Sequence, residues 1–257
     1  MTADSSAPPL RIDRGALRKA RRRHGPPGPL PLILWRQHRA ERTLQRSGNA
    51  FRSGSNDTAC TGYRRMDDCI FVQVNARQAW ANWRSIPRSI DGRLPDRPLD
   101  VVDLCCGTGD STAVLVWCCP AGSRFLGLDI SPEFIAHAQR RRYPGQEERH
   151  PCMDFAVQSA LEPFHWSDGT SVAEASMDLV NASGAVGCHF DEEACARLAT
   201  NCAAVLRSDG LATIDAGPAG TGATALQRIF SAAGFRLEHC TRSNPFDRYR
   251  HLAFRRI

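Results

Sequence analysis

Residues 101–112 read VVDLCCGTGDST, an apolar run that ends at Asp103 and passes directly into a Cys-Cys-Gly-Thr-Gly-Asp turn. An apolar strand that runs into a glycine turn and a following helix is the opening of a nucleotide-binding α/β unit. Gly107 and Gly109 have no Cβ, so the backbone there can turn sharply and approach a ligand. Asp103 narrows the ligand class. A carboxylate at the strand end repels a pyrophosphate and favours a cation or ribose hydroxyls, which argues against a dinucleotide.

Around this stretch the chain alternates. Strands are expected at 99–104, 125–129, 155–158, 177–182 and 211–215, and helices at 110–118, 132–141, 192–206 and 223–233. Such alternation predicts a mostly parallel sheet with helices on both faces. The last two strands, 235–240 and 249–254, have no helix between them and predict a terminal antiparallel pair. Asp209-Gly210 is read as the stop of the helix before the 211–215 strand. Upstream, residues 62–90 read as helical, with Val74, Ala76, Ala79, Trp80 and Trp83 at helical spacings and Pro87 and Pro95 punctuating the approach to the first strand.

The 257 residues suit one α/β domain with an extension. We divide them into a basic, disordered arm with a possible short helix at 33–46 (1–50), a helical extension or lid (51–98) and the α/β domain (99–257). The first 50 residues hold 11 of the 33 lysines and arginines but only 3 of the 27 acids, so the rest of the chain is slightly acidic. RKARRRHGPP, residues 18–27, could neutralise phosphates of nucleic acid, or be a solvated arm; Lys19 is the only lysine, so coding bias also favours arginine. No run of about 18 apolar residues exists, which predicts no transmembrane helix. The start, MTADSSAPPLRIDRG, has no apolar signal core, and Asp4, Asp13 and the prolines at 26, 27, 29 and 31 read against a transit peptide. A cytoplasmic protein is expected. Its 11 cysteines show no paired CxxC spacing and read as reduced, mostly buried thiols with no metal site.

From residue 99 onward the chain resembles the class I S-adenosylmethionine-dependent methyltransferases. DLCCGTG is similar to the family's acidic residue followed by G-x-G-x-G, with Cys105 in place of the first glycine, as in variants of quinone-pathway methyltransferases. Asp129 in FLGLDIS matches the acidic residue that ends the second strand, and VLRSDGLATID and AGFRLEHC resemble the family's closing segments. The resemblance implies a seven-stranded Rossmann-like methyltransferase sheet and S-adenosyl-L-methionine as cofactor. Its binding residues would be Asp103, Cys105, Gly107, Thr108 and Gly109 of the turn, Asp129 and Ile130 after the second strand, Gln158 or Ser159 near the adenine, and backbone from Asn181 to Gly184. Physically, Asp103 suits a sulfonium-bearing ligand, and Asp129 can accept both hydrogen bonds of a ribose diol. Asp103 or Asp110 could instead cap the following helix, and Asp129 the next one.

Methyl transfer is an in-line displacement in which proximity and alignment dominate, and a base is needed only for a protonated nucleophile. His189, in NASGAVGCHF, is the candidate base, against an ordinary loop histidine. Trp80, Trp83, Arg84 and Tyr63 are candidates for a lid over a small-molecule acceptor, with Arg248, Tyr249 and His251 on the same side; the two tryptophans could equally pack a helix on the sheet. Nucleic acid is expected only at the basic arm, and no membrane contact is expected. Two rivals remain: a nicotinamide-dependent oxidoreductase, disfavoured because GTGDST lacks the third glycine of G-x-G-x-x-G, and a non-catalytic, methyltransferase-like nucleic-acid-binding protein.

Overall fold

Apolar side chains on both faces of a strand mark it as central to a sheet covered on both sides, and β1 (Asp100–Leu104) is such a strand, with Val101, Val102 and Leu104 buried. The computed structural model of the chain describes residues 7–48, 56–144, 152–242 and 249–257. In it β1 is flanked by β2 (Arg124–Asp129) and β4 (Met177–Ala182), with β3 (Met153–Val157) beyond β2 and β5 (Leu206–Ala216), β7 (Arg250–Arg256) and β6 (Phe235–Cys240) beyond β4. The order is therefore β3-β2-β1-β4-β5-β7-β6. The pairs from β3 to β5 are parallel, and β7 runs antiparallel to both β5 and β6. The fold is the mostly parallel, seven-stranded, Rossmann-like sheet with a terminal antiparallel pair that the alternation implies.

The helices are numbered in chain order. Ahead of the sheet lie α1 (Arg14–His24), α2 (Leu30–Arg46), α3 (Asn56–Arg64), α4 (Asp68–Val74) and α5 (Ala76–Ile90). Within the sheet region come α6 (Asp110–Cys118), α7 (Pro132–Arg140), the single turn α8 (Val186–His189), α9 (Glu192–Val205) and α10 (Ala223–Ala232). Leu198, Cys202 and Phe230, from α9 and α10, bury against one face of the sheet; Ile86 and Ile90 of α5 and Val114 and Leu115 of α6 bury against the other. None of the 11 cysteines forms a disulfide with a described residue, and five of them are buried.

Three local expectations are corrected. The stretch 62–90 is three helices rather than one, because Asp67 caps α4 by accepting from the Cys69 and Ile70 amides, and Asn75 then separates α4 from α5. Pro87 lies inside α5 and does not end it. The helix over 192–205 stops at Val205, and Asp209, at φ +63°, sits within β5 where its pairing with β4 shifts register.

The arm is corrected too, over residues 7–48. Leu10 and Ala20 are buried in the core beneath α5, and the Leu10 and Gly92 amides donate to the Leu94 and Leu10 carbonyls. Asp13 caps α1 through the Gly15 and Ala16 amides. A few well-placed apolar residues and one cap are enough to dock a segment whose composition is mostly arginine and proline.

Candidate functional site

The site forms at the carboxyl ends of β1, β2 and β4, at the point where strand order reverses between β1 and β4, which is where open α/β sheets bind ligands. A cavity of about 830 Å³ opens there. Its floor is Cys105, Cys106, Asp129 and Ile130; one wall is Gln158, Ser159 and Ala160 after β3; the opposite wall is Ser183, Gly184 and His189 after β4. The helices before the sheet roof it with Tyr63, Phe71, Asn75 and Asn82.

The glycine turn is shaped by backbone conformation. Gly107 and Gly109 have φ of +55° and +83°, and a Cβ on Gly109 would stand 2.1 Å from the Tyr143 hydroxyl. Cys105 also has a left-handed φ, +52°. The residue that departs from the glycine pattern thus keeps the glycine conformation, one that is costly for a side chain.

Asp129 faces the cavity. One of its oxygens accepts from the Gly107 amide at 2.9 Å and the other from the Ser131 amide at 3.0 Å, so it ties the turn after β1 to the turn after β2. Each oxygen retains a lone pair for a hydroxyl donor. Burial raises its pKa to about 6, partly offset by the Ser131 and Gly107 amides. It does not cap α7: Ser131 does, accepting from the Phe134 amide.

Asp103 is elsewhere. It is fully buried behind the turn, where one oxygen accepts from Ser111 (2.7 Å) and Thr112 (2.6 Å) and the other from the Asn181 amide nitrogen (2.7 Å). Asn181 in turn accepts from the Thr213 hydroxyl at 2.8 Å. The chain Thr213-Asn181-Asp103-Ser111/Thr112 stitches β5, β4, β1 and α6 together. Burial raises Asp103 to about 6 against these three donors. Neither Asp103 nor Asn181 lines the cavity, because each is spent on this buried network; Ser183 to Ala185 take the position expected of Asn181. Thr108 is also buried outside the cavity. Neither Asp103 nor Asp110 caps α6; Asp110 pairs instead with Arg141 at 2.7 Å.

The loop after β4 is held from β5. Asp215, fully buried, accepts from the Gly184, Ala185 and Val186 amides on one oxygen and from Gly187 on the other, at 2.9–3.2 Å. This fixes α8 and with it His189, whose Nε2 lies 3.0 Å from the Tyr63 hydroxyl with the two rings edge to face. His189 and Tyr63 close the end of the cavity away from the β3 wall. They also border a second open recess of about 860 Å³, shared with Gln37, Arg77, Gln78, Cys188 and Tyr249.

Of the expected lid residues Tyr63 lines the cavity, and Tyr249 the adjoining recess, while the tryptophans and Arg84 are placed otherwise. Trp83 is buried in the core, 6.3 Å from Trp117 between ring centroids, because Ala79, Trp83, Ile86 and Ile90 form the apolar stripe of α5. Trp80 is half-buried and lines neither recess, and Arg84 faces the far side of the helix. Arg248 lies outside the described residues. A polar stripe of Asn75, the residue that precedes α5, with Gln78 and Asn82 of α5 faces the site instead. Asn82 Oδ1 accepts from Ser183 (2.7 Å) and Gln78 (2.8 Å), and Ser183 Oγ lies 2.8 Å from His251 Nε2. A hydroxyl has one proton; with Ser183's given to Asn82, His251 donates from Nε2 and its buried Nδ1 is a bare acceptor with no partner among the described residues. The i, i+3, i+7 spacing of Asn75, Gln78 and Asn82 was the sequence signal for this face.

Residues 101–210 match the family model described as a methyltransferase domain. Over these residues the chain carries a methyltransferase domain. Its fold is similar to that of a TehB-like SAM-dependent methyltransferase from Corynebacterium glutamicum, at 21% identity and a TM-score of 0.50, covering 70% of this chain and 88% of that one. It is also similar to the magnesium protoporphyrin IX methyltransferase of Synechocystis with bound SAM (19% identity, TM-score 0.50, 75% and 98% covered) and to the pyocyanin biosynthetic protein PhzM (18% identity, TM-score 0.55, 77% and 61% covered). No curated protein matches the sequence. The donor set suits the cofactor of such a domain. Asp129 presents a buried carboxylate, Ile130 and Phe134 present apolar surface, and Gln158 and Ser159 present polar edges, although Gln158 already bonds the Pro163 carbonyl and His165.

Proposed function

We propose that the methyltransferase domain alkylates a small-molecule acceptor held between the helices α2–α5 and the loop after β4. The observation that carries this reading is the pairing of the Asp129 end of the cavity with a His189–Tyr63 end that opens into a second, adjoining recess. In this reading Asp129, Ile130, Ser159 and the glycine turn hold S-adenosyl-L-methionine, which supplies an already activated methyl group. The chain's own contribution is alignment, together with deprotonation where the nucleophile carries a proton. His189 is the candidate base, and Tyr63 orients its ring through Nε2. Gln37, Arg77, Gln78 and Tyr249 give the acceptor recess a polar, partly cationic lining around aromatic surface, which suits a hydroxylated or carboxylated ring. A magnesium protoporphyrin IX methyltransferase, whose acceptor is a small molecule, is among the proteins of similar fold.

The test is titration of the purified protein with S-adenosylhomocysteine by calorimetry, followed by transfer of labelled methyl groups to a panel of phenols, carboxylic acids and amines. Saturable binding with turnover on at least one panel member, lowered in His189→Ala with the same product affinity, is the expected result. Absence of S-adenosylhomocysteine binding, or tight binding of NADH alone, overturns it.

A further inference from the structure

The face of α5 turned away from the methyltransferase site borders a second concavity. Between α1 and α5 an open groove of about 1240 Å³ is lined by Arg14, Arg18, Arg21, Arg84, Arg88 and Arg93. The first three fall at i, i+4 and i+7 of α1, a single stripe about 10 Å long, and Arg84 and Arg88 form a facing stripe of about 6 Å. The groove is firmly built: Leu10 and Ala20 are buried below it, and the Ile12 amide donates to Asp91 at 3.1 Å. Asp91, the one carboxylate among the lining residues, is thereby engaged with backbone. Arg97, Arg124, Arg141, Arg207, Arg228 and Arg255 each form an ion pair, whereas Arg14, Arg18, Arg21 and Arg88 form none with a described residue. His239 at its edge is held below its ordinary pKa by burial and by Arg93.

We propose that this groove binds the sugar–phosphate backbone of a single-stranded nucleic acid. Planar guanidinium forks match phosphate oxygens bidentately. Two linear stripes suit a linear polyanion better than an isolated phosphate, and the half-buried Ile12 and Leu17 in the same lining offer apolar contact to sugars and bases. The surface is separate from the cofactor cavity, so this binding stands whether or not the acceptor proposed above is right.

The experiment uses the full chain and a fluorescein-labelled single-stranded RNA or DNA oligonucleotide, with binding followed by anisotropy from about 50 to 200 mM salt. About four phosphate contacts predict a slope near −3 in log affinity against log salt, from about −0.7 per contact. The triple variant Arg18→Gln, Arg21→Gln, Arg88→Gln should bind at least about tenfold more weakly at an unchanged Tm, with a shallower slope. Arg14→Glu with Arg88→Glu is a second, independent pair and should do the same. Variants that bind like the wild type, a slope near zero, or equal displacement by a poly-glutamate peptide overturn the proposal; the last would assign the groove to an acidic protein.

Discussion

At Cys105 the departure from the glycine pattern and the backbone disagree, because the side chain is held at φ +52°. Cys105→Gly exchanges left-handed strain for unfolded-chain entropy and should leave stability within about 1 kcal/mol. Cys105→Val, with a branched Cβ at the same φ, should cost about 2 kcal/mol or more in chemical denaturation. Asp129 carries a pH signature. With its carboxyl near 6, S-adenosylhomocysteine affinity should fall up to about tenfold per unit as pH drops below 6, and Asp129→Asn should bind weakly with a flat profile in calorimetry. The sequence made Asp129 legible because a carboxylate ending the second strand has few other uses, and the structure excludes capping. Asp103 misled: the reasoning that placed it against a cation rested on its position at a strand end. It could not see Ser111 and Thr112 of α6 and Asn181 of β4 arriving on the same carboxylate.

Elements tell a similar story with a different cause. The sheet was readable because alternation of apolar strands and amphipathic helices is a local pattern, and the strand pair 235–240 and 250–256 declared itself by the absence of a helix between. The face of α5 was not readable from aromatic residues alone. Tryptophans drew attention, yet Trp83 belongs to the stripe 79, 83, 86, 90 that packs the core, and the smaller amides at 75, 78 and 82 meet the site. Composition likewise concealed α1, where Asp13 and the spacing of Leu10, Leu17 and Ala20 were the available signal. The single turn α8 depends on Asp215 for four amide contacts. Asp215→Ala should therefore destabilise the protein by about 3 kcal/mol or more and speed hydrogen exchange at residues 184–187, read by mass spectrometry.

For the whole molecule, acid is the informative stress. Burial lowers the His251 pKa to about 4 from an ordinary 6.5, so between these values the unfolded chain binds a proton that the folded chain refuses. Stability from this group is complete above pH 6.5 and lost as pH falls toward 4, about 2 kcal/mol by pH 5. Asp103, Asp129 and Asp215 act in the opposite sense, since their raised values let the folded state take protons first between about 4 and 6. The His251 share is isolated by comparing wild type with His251→Gln: the wild type should lose stability relative to the variant as pH drops from 7 to 5, measured by urea denaturation. The helix α5 has one further consequence. Its amide face closes the cofactor cavity while its guanidinium face borders the groove of α1, so two solutes would press on opposite sides of one rigid rod. Thermodynamic reciprocity then governs them: whatever factor an occupant of the groove applies to cofactor affinity, the cofactor must return to that occupant unchanged.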